Sequence, residues 1–145
     1  MSDDLAALSG IEQLRRLMTG DANAAIGQTI GFRLTELDKG RVVFEAVPDK
    51  RFYNPIGTVH GGFAATLLDS ACGCAVHSML EPGQRYTTLE LKVAYHRAMT
   101  ETTGRVRAIG TVLSIGRRAA FAEARLVDDS GRLHVSATST LLVMS

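Results

Sequence analysis

The chain has 145 residues, 46% of them apolar and 21% charged, with a formal net charge of +1. That length suits one domain with a real core, and the composition excludes a disordered chain. The near-neutral balance leaves no global field that would favour nucleic acid or an acidic membrane.

The N-terminus, Met1-Ser-Asp-Asp, is acidic and leads into no long apolar run, so it does not read as a secretory signal. Ser9-Gly-Ile-Glu12 has the form of a capping box ahead of Leu14, Leu17 and Met18 at helical spacing, which predicts a helix from about Gly10 to Thr19 stopped by Gly20. Residues 21–29 are small; they line a pocket mouth or merely connect. Residues 1–29 together read as an N-terminal helical arm on a single domain spanning 1–145. From Ile30 the period changes to two. Phe32 to Leu37 predicts a first strand, Asp38-Lys-Gly40 a turn and Arg41 to Val47 a second strand, ended by Pro48. A long polar loop carrying Asn54-Pro55 follows, in the kind of segment where functional side chains concentrate.

The stretch from Gly61 to Met79 is rich in small and apolar residues, and its only carboxylate is Asp69. Burying a charge costs several kcal/mol unless it is paired or hydrogen-bonded, so an Asp within an apolar helix demands a reason. The same residue argues against a membrane span, where an Asp costs about 2.5–3.5 kcal/mol. Gly61 and Gly62 stand at the front of this helix, where backbone N–H groups point at whatever approaches. Cys72 and Cys74 lie two apart on it and point to different faces, so a disulfide between them is implausible; a reducing, cytoplasmic setting is expected. Cys74 and His77 are three apart and are able to meet, but nothing supplies further metal ligands at a recognisable spacing, so neither a metal nor another cofactor is expected. His77, His96 and His134 read as surface or satisfied core histidines.

After Glu81-Pro-Gly83, the run from Thr88 to Tyr95 alternates, with Leu89, Leu91, Val93 and Tyr95 on one face. Gly104 to Leu113, Arg117 to Val127 and Leu133 to Val143 alternate too, the last two joined by Asp128-Asp-Ser-Gly131. One long helix with about six turn-linked strands predicts an α+β fold, a curved antiparallel sheet packed on the helix. Open edge strands in such a sheet are normally paired with another subunit.

Asn54, the triplet His60-Gly61-Gly62 and Asp69, followed by Thr87-Thr-Leu-Glu-Leu and Gly116-Arg-Arg, resemble the hotdog-fold acyl-CoA thioesterases, in the subgroup of the phenylacetate pathway. The likeness runs from about residue 30 to the C-terminus, and the spacing of the triplet to Asn54 and Asp69 is what makes it specific. It implies a sheet wrapped around a central helix and an enzyme that hydrolyses an acyl-CoA thioester, with no cofactor. By the same resemblance Gly61 polarises the thioester carbonyl, Asp69 is nucleophile or general base, Asn54 and His60 orient the thioester, the water or the oxyanion loop, and Thr88 positions water. Gly62 falls among the substrate-binding positions, and Arg117 and Arg118 would grip coenzyme A phosphates. The implied assembly is a homodimer, extended to a tetramer as a dimer of dimers.

Blander roles remain open for several of these residues. His60 would serve as a helix cap, Asn54-Pro55 as a turn, and the arginine pair as a solvated strand end. Two other functions compete: a hotdog dehydratase or hydratase acting on acyl thioesters, and a non-catalytic acyl-CoA-binding module.

Overall fold

A computed structural model describes residues 2–20 and 24–145. The N-terminal segment holds α1 (Asp3–Ala6) and α2 (Gly10–Thr19). The expected capping box forms: the Glu12 carboxylate accepts from both the backbone N–H and the hydroxyl of Ser9, at 3.0 and 2.8 Å. Gly20 ends the helix, donating its N–H to the Arg16 carbonyl. Residues 21–23 of the small-residue stretch lie outside the described residues. Beyond them the stretch is not a plain connector but a third helix, α3 (Ala25–Ile30), closed by Gly31 in the left-handed region at φ 84°, a standard helix terminator. Its six residues carry too little periodic apolar pattern to be recognised from sequence.

The sheet consists of β1 (Phe32–Asp38), β2 (Arg41–Ala46), β3 (Arg85–Tyr95), β4 (Val106–Ile115), β5 (Ala119–Asp128) and β6 (Leu133–Met144). Every pairing is antiparallel, and the spatial order is β1-β2-β4-β5-β6-β3. Between β2 and β3 in sequence lies α4 (Gly61–His77), 17 residues long and therefore about 26 Å from end to end. It packs across the concave face of the sheet with Leu67, Leu68, Ala71, Cys72, Ala75 and Val76 fully enclosed. This is the hotdog arrangement. Helix and sheet backbones approach so closely that a methyl group on Gly110 of β4 would stand 2.5 Å from the Ala71 carbonyl carbon and nearer still to its oxygen.

Two features of the strands depart from the sequence reading. β3 starts at Arg85, three residues earlier than the alternation suggests, and it carries a bulge between Thr88 and Glu90. Thr88 pairs with Leu141, while Leu91, Val93 and Tyr95 pair with Ser139, Ala137 and Val135, and these four β6 residues alternate along one face. The bulge therefore puts Thr88 and Leu91 on the same side, which strict period-two alternation forbids. Leu89 is the residue displaced, and 60% of its surface is exposed. β3 is also an outer strand, with β1 the other.

Candidate active site

The loop that enters α4 is built around Asn54. Its side-chain oxygen accepts from the backbone N–H groups of Ile56 and Thr58, both at 3.1 Å, and its amide nitrogen donates to the Thr58 hydroxyl at 2.9 Å. An Asn that bonds its own following backbone in this way closes a turn without help from other elements. The loop is tied down further by Val59 N–H on the Met99 carbonyl and His60 N–H on the Phe52 carbonyl. Phe52 ends a short 3-10 turn over Lys50–Phe52.

His60 is the N-cap of α4. Its Nδ1 accepts the Gly62 N–H at 2.8 Å, which satisfies one of the four donors a helix start leaves open. Since that nitrogen receives a proton donor, the neutral ring carries its own proton on Nε2. The Gly61 N–H has no acceptor among the described residues. It lies in the first turn, where the partial positive charge of the helix is concentrated.

A cleft of about 340 Å³ opens here, lined by Asn54, His60, Gly61, Tyr95, Arg97 and Met99 among others. Its polar lining contains N–H and O–H donors and a guanidinium but no carboxylate. Asp69 is not part of it.

Two turns further along α4, Asp69 is exposed on the chain's surface, not enclosed as its apolar neighbours suggest. The reason is the helix period. Leu67, Leu68, Ala71 and Cys72 face the sheet, and Asp69 falls on the remaining strip, beside outer strand β3. There the Thr88 hydroxyl donates to its Oδ1 at 2.9 Å. One turn on, Gly73 faces the Tyr86 ring, which an added methyl group would meet at 3.2 Å. Eight residues of helix separate Gly61 from Asp69 by about 12 Å along the axis. The chain thus groups the named residues into two clusters, Asn54, His60, Gly61 and Gly62 at the helix start and Asp69 with Thr88 further along.

Arg117 and Arg118 occupy the turn between β4 and β5, closed by Gly116 N–H on the Ala119 carbonyl at 2.8 Å. They line a broad surface hollow of about 600 Å³ with Gln84, Leu142 and Met144, and neither makes an ion pair among the described residues. The cysteines are chemically quiet: burial pushes both thiols up to about 12. His77 donates or accepts through Nε2 with Gln13 at 2.7 Å, and burial lowers its pKa. His134 is enclosed and paired with Asp128 at 2.8 Å, while His96 meets the Ser136 hydroxyl. The residue that sequence reasoning missed is Tyr95, whose hydroxyl donates to the Gly61 carbonyl at 2.6 Å. Alternation marks it only as one apolar-face residue among four.

A six-stranded antiparallel sheet around one long helix, with a glycine N–H open at the helix start, defines a thioesterase-type hotdog. The chain belongs to the thioesterase superfamily, whose family model matches residues 56–135, and its class is that of a thioester hydrolase. It is 31% identical over 122 residues to the proofreading thioesterase EntH of Klebsiella pneumoniae, covering 81% of this chain and 88% of that one. It is 26% identical to the 1,4-dihydroxy-2-naphthoyl-CoA hydrolase of Listeria monocytogenes, covering 80% and 93%. Among solved structures, a phenylacetic acid degradation-related protein from Ralstonia eutropha superposes with a TM-score of 0.80 at 28% identity, covering 89% of this chain and 98% of the other. Among the described residues no helix is long and apolar enough to cross a membrane.

Proposed function

We propose that this protein hydrolyses acyl-CoA thioesters at two equivalent sites, each shared between the subunits of a homodimer. In each site Gly61 of one chain receives the thioester oxygen and Asp69 of the other supplies the carboxylate. The observation that carries this reading is the open Gly61 N–H at the start of α4, with the Asp69 carboxylate about 12 Å away along the same helix. A thioester carbonyl lying on Gly61 cannot reach Asp69 of its own chain. A two-fold pairing along outer strand β3 turns the second helix end for end and resolves the mismatch; strand β3, with its 11 residues and an open edge, offers the pairing surface.

The chemistry follows from these groups. Asp69, held by Thr88, takes a proton from a water that adds to the carbonyl carbon, or attacks that carbon itself to give an anhydride that water then hydrolyses. The oxygen that becomes negative lies against the Gly61 N–H, a donor aimed before the reaction begins. Collapse of the tetrahedral species breaks the carbon–sulfur bond, and the leaving coenzyme A thiolate takes up the proton Asp69 removed from water, or one from solvent, to depart as its thiol. Asn54 keeps the entry loop closed and His60 presents Nε2–H to the cleft. Arg117 and Arg118 offer cations for the nucleotide phosphates. That the Listeria relative is named for a CoA thioester supports CoA as the carrier.

The His60 geometry weighs against the dehydratase or hydratase reading. A histidine base needs a bare ring nitrogen facing the substrate, and here the bare nitrogen is occupied by Gly62 N–H. The exposed carboxylate on its threonine weighs against a purely binding role.

The test is release of free thiol from a panel of acyl-CoAs, repeated with Asp69→Asn. The substitution keeps shape and removes basicity, so turnover should fall roughly 10²–10⁴-fold with folding intact. Turnover within a few-fold of the unaltered protein would remove Asp69 from the mechanism, and absence of thiol release from every acyl-CoA would remove the function.

A further inference from the structure

The peptide unit joining Gly61 and Gly62 is gripped at both ends. Its carbonyl accepts the Tyr95 hydroxyl at 2.6 Å and its N–H donates to His60 Nδ1 at 2.8 Å. Tyr95 also covers Gly61 itself. A methyl group on Gly61 would stand 2.8 Å from the Tyr95 hydroxyl oxygen and 2.9 Å from the ring carbon bearing it, and the three nearest atoms all belong to Tyr95. This tyrosine is the last residue of β3, paired with Val135 of β6, so its ring is carried by the sheet rather than by the loop.

Gly61 needs such a hold. Glycine has the widest backbone freedom of any residue; the Gly61 N–H has no acceptor among the described residues, and the peptide that carries it is held from the other side by Phe63 N–H on the His60 carbonyl at 3.0 Å. An oxyanion donor must lie within about 0.5 Å and 10–20° of its working geometry. We propose that Tyr95 is a positioning residue for thioester hydrolysis: its hydroxyl on the Gly61 carbonyl and its ring against the Gly61 α-carbon set the direction of the Gly61 N–H. The inference rests on the reading of Gly61 as the oxyanion donor. Partial burial raises the phenol's pKa, so it remains a donor throughout the neutral range. The close fit also explains why residue 61 is a glycine: any side chain there would displace the tyrosine that aims it.

The experiment is steady-state hydrolysis of one good acyl-CoA substrate by Tyr95→Phe, Gly61→Ala and the double variant, each shown by thermal melting to be folded at the assay temperature. Tyr95→Phe keeps the ring and loses only the hydroxyl. It should lower kcat about tenfold with KM within twofold, less than the roughly 10²–10³-fold that follows outright loss of such a donor. Gly61→Ala forces the ring away and should cost more. The double variant should be no worse than Gly61→Ala, since both changes act through one contact. A kcat for Tyr95→Phe within twofold of the unaltered protein, a change confined to KM, or losses that multiply in the double variant would each overturn the inference. If Tyr95→Phe is silent while Asp69→Asn is inactive, only the role of Tyr95 fails. If the unaltered protein releases no thiol from any acyl-CoA, the function fails and takes this role with it.

Discussion

Gly110→Ala separates the structural account from one based on strand preference, because the two disagree in sign. Glycine within a strand is unfavourable by roughly 0.5–1 kcal/mol relative to alanine through its greater freedom when unfolded, so preference alone predicts a stabler protein. In the structure the new methyl group lands on the backbone of α4, 2.5 Å from the Ala71 carbonyl carbon and 3.0 Å from the Ala71 methyl group. Ordinary contact begins near 3.4 Å, and backbone cannot rotate aside as a side chain does. The helix must therefore lift by about 1 Å, and a gap of 0.5–1 Å already forfeits a quarter to a half of each dispersion contact it opens. Overpacking of this kind costs about 1–3 kcal/mol, occasionally more; with both neighbours rigid the upper end applies, leaving about 2–3 kcal/mol net. For a chain of this size that is a fall in Tm of roughly 8–12 °C. Thermal unfolding followed by circular dichroism measures it, with Gly116→Ala as control, since the added methyl group there meets only the Ala119 oxygen at an ordinary 3.5 Å. A Gly110→Ala protein that melts at or above the unaltered one would refute the close helix–sheet contact on which the placement of Asp69 depends.

Three further outcomes are expected. Mixing Asp69→Asn chains with Gly61→Pro chains, unfolding and refolding them together, should leave about half the dimers mixed, each with one intact site, so about a quarter of the activity returns; no recovery from variants that each still dimerise would place both groups in one chain. The proline also presses on Tyr95, but that lesion stays at the Gly61 end. Arg117→Ala with Arg118→Ala should raise KM for an acyl-CoA far more than for a short thioester lacking the nucleotide; equal effects would assign these arginines to the turn rather than the substrate. Burial raises the Cys72 and Cys74 thiols from an ordinary 9.0 to about 12, so at neutral pH their thiolate population is about 10³-fold below that of a free thiol. An aromatic disulfide reagent should then find the enclosed Cys72 only after unfolding and the half-buried Cys74 slowly, and rapid labelling of Cys72 in the native protein would contradict the packing of α4.

Much of the architecture is local and therefore legible in the sequence. The capping box at Ser9 and Glu12, the turn at Asp38 to Gly40 and the long small-residue helix each follow from short-range chemistry, and the structure has all three. The open N–H of Gly61 at a helix start is likewise readable, since an early-helix N–H has no intrahelical acceptor whatever the fold around it. Other features depend on partners far away in the chain. Alternation places Thr88 on the face away from Leu89 and Leu91; only the pairing of β3 with β6 creates the bulge that turns it towards Asp69. The burial of Asp69 is misread for a related reason: a helix with apolar residues on most sides still leaves a strip uncovered when it lies at an outer strand. Tyr95 and Gly61 are 34 residues apart, and no local pattern joins the end of a strand to the start of a helix. Spacing and residue type determine which groups this protein has for thioester chemistry; where the sheet bulges, and which strand stays open at its edge, is decided by tertiary packing, because hydrogen-bond register and close backbone contact exist only between segments that the fold has brought together.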